Sequence, residues 1–459
     1  MDKVLLIITT VSWLFSQSEL SYDFGVNIRI HPTETNQKFP DMIFDSNNTM
    51  HLVWVEQVGS DNNIFYSRSD ESGLSFSDPL QVNIHSNSIV AYMQSGPRIR
   101  ARGNELFIVY MDDRTGSTSI YLNRSPDNGL TWENEIRISD QPYLEMYTEI
   151  EIDNDGKIHL VYYSYNQNYS LNSVRYTVAP ENTIDFYPSN PVGLVNNETE
   201  PCDCCQPDLE LSESGDVFIA YRNNLENIRD HFIVKKSVNS DVFSDPVPIS
   251  DYQEYLSFCP SSGPSLVLND QWIAAGYNLN VSRNSFINFS GVQEFDFSNE
   301  VNLNPQSSEE QNFPFLTIHD DFIHAVWMDY SNGAPDIFYA VSEINSGQML
   351  NVQRVNDDGE ENNIMQKEPF LAWQENNLYC FWSDQRDGNF QIYFSTTNDF
   401  DILEGDVDNN GQVDFLDSLS LVNIILSPDA PTTYELLAGD INHDGDLTLI
   451  DSIMINFIF

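Results

Sequence analysis

Two acidic segments near the C-terminus carry the residues whose types and spacing point most directly to chemistry. In the first, oxygen-bearing side chains occupy loop positions 1, 3, 5, 7 and 12: Asp406, Asp408, Asn410, Gln412 and Asp417. The second repeats the pattern with Asp440, Asn442, Asp444, Asp446 and Asp451. Calcium takes about six to eight oxygen ligands, and a loop of this spacing, with Gly at position 6, turns its oxygens toward one point. The sequence therefore predicts two calcium sites.

The segments that follow the two loops must hold them in place. Apolar residues recur over Leu416 to Leu426 and over Ile450 to Phe459, which predicts a helix after each loop. Residues 401–459 contain no Lys or Arg, so the carboxylates would repel one another without a cation. This duplicated pattern resembles the dockerin family, whose members bind cohesin modules on scaffolding proteins. The resemblance implies a small all-α domain, calcium-dependent folding and a cohesin partner.

Four cysteines form a second group with chemical potential: Cys202, Cys204, Cys205 and Cys259. They precede the first strands of two successive repeats, so they are expected to meet at one end of the molecule. Disulfide bonds are one interpretation, because disulfides form in exported proteins. A thiolate metal site is the alternative, although the spacing is not that of a standard zinc site. A fifth cysteine, Cys380, lies among aromatic residues and is interpreted as an unreactive buried thiol.

A repeated unit of about 50 to 60 residues occupies residues 36–400 and must position these groups. Each unit opens with a short turn, followed by strands rich in β-branched and aromatic residues. The openings are Lys38–Pro40, Ser95–Pro97, Met146–Thr148, Cys205–Pro207, Ser262–Pro264, Asn312–Pro314 and Lys367–Pro369. Repeated sheets of this length bury both faces only around a ring, so we predict an all-β propeller of seven blades, alternatively six. The last unit lacks a fourth strand, which we expect Val26 to Ile30 to supply, closing the ring.

Two segments within this repeat share a short turn motif. Ser125 to Trp132 reads S-x-D-x-G-x-T-W, and Ser69 to Phe76 keeps the spacing but has Glu71 where Asp is expected. Such segments stabilise turns, because the acid and hydroxyl bind backbone amides and Gly takes the positive φ. With them, residues 24–400 resemble the sialidase-like (BNR or Asp-box) β-propeller superfamily. Cys202–Gln206, Tyr221–Arg222, Ile228–Asp230 and Cys259–Pro260 bring the chain closer to a bacterial branch described as exo-sialidases.

The resemblance implies glycan chemistry at the mouth of the propeller channel. Sialidases grip a carboxylate with arginines and use Tyr as the nucleophile. The candidate residues are Arg98, Arg222 and Arg229 for substrate binding, Asp230 and Glu368 as acids, and Tyr147 as nucleophile. The alternative gives Arg and Asp structural roles in turns, as at Asp113–Gly116 and Gln385–Gly388.

Two functions therefore remain open at this point. The first is a sialidase-like glycan-processing O-glycosyl hydrolase or glycan-binding propeller, attached to a scaffold through its dockerin. The second is a non-catalytic β-propeller binding module in an extracellular protein assembly.

Composition and the N-terminus bound these alternatives. The chain has 20 Lys+Arg against 70 Asp+Glu, a formal net charge of −50, which disfavours nucleic-acid binding. Lys3, an apolar run from Val4 to Phe15 and small residues beyond it predict an export signal. That run is too short for a stable membrane anchor. We expect a signal peptide at 1–20, a propeller at 22–400 and a dockerin at 401–459, in a secreted or cell-surface protein.

Overall fold

A computed structural model describes residues 22–69, 75–140, 144–166, 172–192, 200–344, 346–359, 363–397, 403–408, 411–427, 431, 433–442 and 446–458. The predicted signal peptide and the predicted boundary at residues 400–401 lie outside the described residues. So do Asn410 and Asp444 of the predicted calcium loops, and residues 70–74 of the segment from Ser69 to Phe76.

The described strands form seven antiparallel sheets, which are the blades of a propeller. Strand β1 is Ile28–Ile30 and is described below with the last blade. Blade 1 contains β2 (Asn36–Phe44), β3 (Met50–Val58), β4 (Asp61–Arg68) and β5 (Leu80–Gln81). Blade 2 contains β6 (Ile89–Val90), β7 (Arg98–Arg102), β8 (Glu105–Asp112), β9 (Ser119–Ser125) and β10 (Ile136–Arg137). Blade 3 contains β11 (Leu144–Ile152), β12 (Ile158–Tyr165), β13 (Asn172–Ala179) and β14 (Asn190–Val192).

The remaining blades follow the same order along the chain. Blade 4 contains β15 (Asp208–Leu211), β16 (Val217–Arg222), β17 (His231–Lys236) and β18 (Val247–Pro248). Blade 5 contains β19 (Ser265–Leu268), β20 (Trp272–Leu279), β21 (Asn284–Gly291) and β22 (Asn299–Asn302). Blade 6 contains β23 (Gln311–His319), β24 (Phe322–Asp329), β25 (Asp336–Glu343) and β26 (Met349–Arg354). Blade 7 contains β27 (Gln366–Gln374), β28 (Asn377–Asp384) and β29 (Gln391–Thr396).

The N-terminal strand completes blade 7. β1 pairs antiparallel with β29, with Ile28 opposite Phe394 and Ile30 opposite Ile392. The first and last strands of the propeller therefore lie in one sheet, which covers the edge that β29 would otherwise expose. Seven blades and closure by the N-terminal strand are both confirmed, and the six-bladed alternative is wrong.

Apolar clusters fill the space between successive blades. Each cluster joins side chains from neighbouring sheets, such as Val53 of blade 1 with Ile108 of blade 2, so a blade buries its faces only against other blades. Trp54, Trp327 and Trp382 are fully buried at equivalent places in the second strands. The indole of each donates to the carboxylate two residues later, at 3.3, 3.2 and 2.8 Å. This recurring device satisfies a polar atom that burial would otherwise leave unpaired.

The openings of the innermost strands are bent in a repeated way. Phe39, Tyr147, Phe313 and Glu368 have φ values of 57°, 58°, 52° and 60°. A break in strand register spans each of these residues. Such bulges re-aim side chains at the rim of a sheet. They place the residues around the opening Pro or Thr at one end of the channel.

The described tail contains three helices, α1 (Phe415–Ile425), α2 (Thr433–Gly439) and α3 (Leu449–Ile455). Helices α1 and α3 match the two predicted helices, although α3 ends at Ile455 and does not run on to Phe459. Helix α2 was not predicted, because its seven residues give too short a repeat to show helical spacing. None of the described helices has both the length and the apolar character that a membrane crossing requires.

Candidate functional site

The channel mouth is lined by all seven blades. The residues next to the opening Pro or Thr form its wall: Phe39, Gly96, Arg98, Glu149, Gln206, Asp208, Ser265, Phe313, Phe315, Glu368 and Phe370. Their chemistry divides the mouth into two sides. Blades 2 to 4 contribute Arg98, Glu149 and Asp208, whereas blades 6 and 7 contribute phenylalanines and Glu368. A mouth with one charged and one aromatic side can orient an amphipathic ligand such as a sugar.

An ion-pair network occupies the charged side. Arg98 Nε donates to Glu149 at 2.7 Å. Two residues further along β7, Arg100 contacts Glu149 at 3.2 Å and Glu151 at 2.5 Å. Arg100 also reaches Asp41 of blade 1 at 3.3 Å. Since these groups are mostly withdrawn from water, removal of one member would leave a buried charge without its partner.

Asp208 sits in this wall and keeps a proton more readily than an ordinary Asp. Burial, together with the nearby charge of Glu149, raises the pKa of Asp208 to about 7. Its carboxylate also accepts from the backbone N–H of Leu266 in blade 5 at 2.6 Å. Asp208 therefore combines a blade-to-blade contact with a proton that titrates near neutrality.

Glu368 occupies the opposite side of the mouth, as its place in the blade 7 opening predicted. Its carboxylate accepts from the backbone N–H of Phe39 at 2.8 Å and from the Ser383 hydroxyl at 2.5 Å. Burial raises the pKa of Glu368 in spite of these hydrogen bonds and of the neighbouring lysines Lys38 and Lys367. The side chain thus joins blade 7 to blade 1 and favours the protonated form.

Two lysines flank Glu368. The Nζ atoms of Lys38 and Lys367 lie 4.5 and 5.8 Å from the centroid of the same ring, that of Phe390. Both side chains are half-buried. Among the described residues, neither lysine forms an ion pair with a carboxylate. Two cations of a strongly acidic protein therefore lie next to Glu368, just outside the residues that line the mouth.

Arg222 and Arg229 are buried beside the mouth and bind protein groups. Arg222 donates to Glu254 at 2.6 Å, to Asn280 at 2.9 Å and to two backbone carbonyls. Arg229 donates to the carbonyl of Leu256 at 3.1 Å and to the sulfur of Cys202 at 2.9 Å. These bonds hold the segments that connect blades 4 and 5. Substrate binding by Arg222 and Arg229 stays a prediction.

Asp230 and Tyr147 also lie close to the mouth without lining it. Asp230 accepts from the backbone N–H groups of Tyr252 and Gln253 at 3.2 and 2.8 Å, which stabilises the loop after blade 4. Tyr147 is buried, and burial followed by the nearby Cys205 raises the pKa of its phenol. A raised pKa disfavours the phenolate that a nucleophile needs.

The four predicted cysteines do meet. Cys204 and Cys259 form a disulfide, which links the openings of blades 4 and 5. Cys202 and Cys205 are buried free thiols whose sulfurs lie 2.8 Å apart. Gly263 opens blade 5 next to this cluster, where an added Cβ would come within 1.9 Å of the Gln206 carbonyl. Cys380 is buried elsewhere, in blade 7, and burial raises the pKa of its thiol.

The tail brings predicted calcium ligands together. Carboxylate oxygens of Asp406, Asp408 and Asp417 all lie within 4.8 Å of one another. Asp406 and Asp417 are 1% and 0% exposed, and no Lys or Arg occurs in residues 401–459 to balance them. Gly411 has a φ of 83°, which supplies the sharp turn of the loop. The donor set is the hard, anionic oxygen set that suits calcium.

The second loop repeats the contacts of the first. Asp417 accepts from the N–H groups of Asp408 and Asp414, at 3.1 and 2.7 Å. Asp451 accepts in the same way from Asn442 and Thr448, at 3.2 and 2.9 Å. Each Asp also completes a capping box at the start of its helix. The described parts of the two loops are therefore built alike.

The two helices after these loops are related by the same repeat. Ser418 and Ser452 each donate to the other's backbone carbonyl, at 2.8 and 3.0 Å. Leu421 and Ile455, one from each helix, are fully buried together. The apolar residues that stay exposed also match in pairs: Phe415, Leu416 and Leu419 on α1, and Leu449, Ile450 and Ile453 on α3. The tail thus presents two similar apolar faces.

The sequence analysis missed the charged wall of the channel. Of the residues that directly follow the opening Pro or Thr, it singled out Arg98 but not Asp41, Glu149 or Asp208. Comparing the next position across the seven openings would have shown charged residues in the first four units and none in the last three.

Known proteins resemble the C-terminal tail in sequence and the larger part of the chain in structure. Residues 404–458 match the dockerin type I domain. No protein of curated function matches the sequence. The structure is similar to a protein of unknown function from Dyadobacter fermentans DSM 18053, with a TM-score of 0.50 and 10% identity over 82% of this chain and 98% of that one.

Two enzymes of known structure are also similar to it. For a Penicillium chrysogenum α-L-arabinanase complexed with arabinobiose, the TM-score is 0.47 and the identity 12%, over 82% of this chain and 98% of that one. For a Trypanosoma rangeli sialidase in complex with sialic acid, the TM-score is 0.46 and the identity 8%, over 88% of this chain and 60% of that one. At such identities a likeness concerns the fold alone. The chain therefore joins a seven-bladed β-propeller to a C-terminal dockerin type I domain.

Proposed function

We propose that the propeller recognises the acidic end group of a glycan at the channel mouth and that the dockerin attaches it to a scaffold. The observation that carries the proposal is the pair of lysines, Lys38 and Lys367, beside Glu368. In a chain with a formal net charge of −50, two neighbouring cations that form no ion pair among the described residues create a local field that attracts a carboxylate. The phenylalanines of the mouth supply apolar surface for the sugar ring.

The finer proposal is hydrolysis of a sialoside, with Glu368 as the general acid. Its raised pKa keeps a proton available for the leaving-group oxygen. In this proposal Arg98 helps to hold the substrate, since it lines the mouth. Arg222, Arg229 and Asp230 position the surrounding loops. The role of Tyr147 as nucleophile stays a prediction.

Hydrolysis of an α-linked sialoside by the full chain tests this finer proposal. Glu368→Gln keeps an acceptor for Phe39 and Ser383 but has no acidic proton, so turnover should fall by about 10² to 10⁴. Glu375→Gln, an acidic side chain at the other end of the same hairpin, is the matched control. Unchanged turnover in Glu368→Gln would show that Glu368 is not the general acid.

A specific observation favours the second candidate, a non-catalytic binding module. Glu368, Asp208 and Arg222 all bind groups of neighbouring segments, as structural residues do. Under this alternative, acidic glycans bind at the mouth and no glycoside is hydrolysed by the wild-type chain. Binding of acidic glycans without turnover would therefore support the non-catalytic binding module over the hydrolase.

For the tail, we propose two calcium ions, one in each loop. Asp406, Asp408, Gln412 and Asp417 would hold the first, and Asp440, Asn442, Asp446 and Asp451 the second, with Asn410 and Asp444 completing the loops. Bound calcium supplies the positive charge that the tail lacks. Titration of the full chain should then give two ions per chain.

The exposed apolar faces of α1 and α3 are the proposed contact with a cohesin module. Because the two faces are alike, either can dock, so a charge on one face alone should leave binding largely intact. Leu416→Asp and Ile450→Asp, singly and together, test this by calorimetry with a cohesin in calcium. Only the double variant should lose binding. Such a role is in keeping with the predicted export signal and a secreted or cell-surface location.

A further inference from the structure

Four cysteine sulfurs between blades 4 and 5 form a continuous chain of contacts, from Cys205 through Cys202 and Cys204 to Cys259. The Cys202 sulfur is 2.8 Å from that of Cys205 and 3.4 Å from that of Cys204, which is itself bonded to Cys259. Carbon atoms in van der Waals contact are about 3.5 to 4.0 Å apart, and sulfur is larger, so the contact between Cys202 and Cys205 is close. A free dithiol thus touches a disulfide.

The surroundings favour a thiolate at Cys202. The Arg229 guanidinium donates to its sulfur at 2.9 Å, and such charge-assisted hydrogen bonds stabilise the anion. The hydrogen bond from Cys205 and then the Arg229 charge lower the pKa of Cys202, whereas burial raises the pKa of Cys205. The C-x-x-C spacing of these two residues is that of redox-active dithiols.

Exposure differs between the two cysteine pairs. Cys202 and Cys205 are 2% and 3% exposed, so a thiol reagent in solution does not reach them directly. Cys259 is exposed and Cys204 half-buried. A reagent in solution can therefore reach the disulfide more readily than the buried dithiol.

We propose that the four cysteines form a thiol–disulfide exchange relay, in which Cys202 passes the disulfide from the exposed Cys204–Cys259 pair to the buried Cys202–Cys205 pair. The Cys202 thiolate attacks the Cys204 sulfur. A Cys202–Cys204 bond forms, and the Cys204–Cys259 bond breaks with its electron pair leaving on Cys259, which takes the proton of Cys205. The Cys205 thiolate then attacks Cys202, forms the Cys202–Cys205 bond and expels the Cys204 thiolate.

This exchange is redox-neutral, since one disulfide and two thiols stand on each side. The released Cys204 and Cys259 thiols then react with a low-molecular-weight disulfide such as glutathione disulfide. They are oxidised to a second bridge, and the glutathione disulfide is reduced to two glutathione molecules. The fully oxidised cluster carries both bridges and no thiolate beside Arg229.

Thiol counting in the full chain tests the relay. The chain is incubated with glutathione disulfide, denatured and alkylated, and its mass gives the number of free thiols. Three free cysteines, Cys202, Cys205 and Cys380, should fall to one. Cys380→Ser is the control, because it should lower every count by one and leave the rate of oxidation unchanged.

Variants separate the relay from direct oxidation. Cys202→Ser should keep its two free thiols, because neither exchange step is possible. Removing the exposed pair with Cys204→Ser and Cys259→Ser should slow oxidation of Cys202 and Cys205 about tenfold or more, since the entry route is lost. Arg229→Gln, a positioning variant, should shift the pH midpoint of the oxidation rate upward, because the thiolate loses its partner.

Three results would overturn the proposal. One is a count that stays at three in glutathione disulfide while the Cys204–Cys259 bridge is intact. Another is oxidation at the wild-type rate in the variant that lacks Cys204 and Cys259. The third is a reduced cluster that binds one zinc ion per chain, measured by dye-detected release on thiol alkylation, and forms no second bridge.

Discussion

At the scale of single residues, Asp208 makes the free energy of unfolding depend on pH. Its pKa is raised to about 7 in the folded protein from an ordinary 3.8. Between these two values the folded state holds a proton that the unfolded state has released. The free energy of unfolding therefore falls as pH rises through this window, by up to about 1.4 kcal/mol per pH unit.

Asp208→Asn should remove this slope. The amide oxygen can still accept from Leu266, so the blade contact is kept while the titration is lost. We expect the variant to equal the wild type near pH 4 and to exceed it in stability at pH 8, measured by urea unfolding at both. Asp155→Asn, on an exposed turn, is the control. Equal slopes for wild type and Asp208→Asn would contradict the assignment.

At the scale of secondary-structure elements, the loops and helices of the tail depend on one residue in each copy. Asp417 takes position 12 of its loop and, as the third helical residue, completes the capping box of α1, as Asp451 does for α3. Asp417→Asn should lower calcium affinity on the order of tenfold or more in the first loop only, because a carboxylate ligand is lost. Asp451→Asn should do the same in the second.

Calcium titration followed by far-ultraviolet circular dichroism measures this effect. Each variant should keep one tight site and lose part of the calcium-dependent helical signal. Glu435→Gln, an equal change of charge in α2 outside both loops, should behave as the wild type. A helical signal that is unchanged by chelator in the wild type would contradict calcium-dependent folding.

Most of the elements were predictable from sequence because their signals are local and repeated. The opening turns, the strands after them and the duplicated loops recur, so each copy supports the others. Helix α2 has no second copy and is short, which is why it was missed. The contacts of Arg222 and Glu368 were beyond prediction as well, since their partners come from distant segments, such as Glu254 and Phe39.

At the scale of the whole molecule, the ring is closed by the three-residue strand β1, Ile28–Ile30. Ile28 and Ile30 are 2% and 4% exposed in the sheet that closes blade 7. Ile30→Ala should lower the free energy of unfolding by about 2 to 5 kcal/mol, because it removes buried apolar surface and leaves a cavity. Chemical unfolding of the full chain measures the loss.

A surface change in the same segment provides the comparison. Val26→Ala, at a position that is 45% exposed, should change stability by less than about 0.5 kcal/mol. If Ile30→Ala were as stable as Val26→Ala, the N-terminal strand would not be the element that closes the ring.

The molecule as a whole is strongly acidic, and we nonetheless propose that its channel mouth recognises an acidic glycan. Calorimetric titration of the full chain with a sialylated trisaccharide and with its neutral, desialylated counterpart tests this most directly. We predict binding of the acidic sugar alone, and a loss of about tenfold in affinity, about 1.4 kcal/mol, for Lys38→Met and for Lys367→Met. Lys157→Met, whose lysine is already paired with Asp155, should bind as the wild type does. Equal affinity for the two sugars, or wild-type affinity in both Lys38→Met and Lys367→Met, would contradict recognition of an acidic glycan.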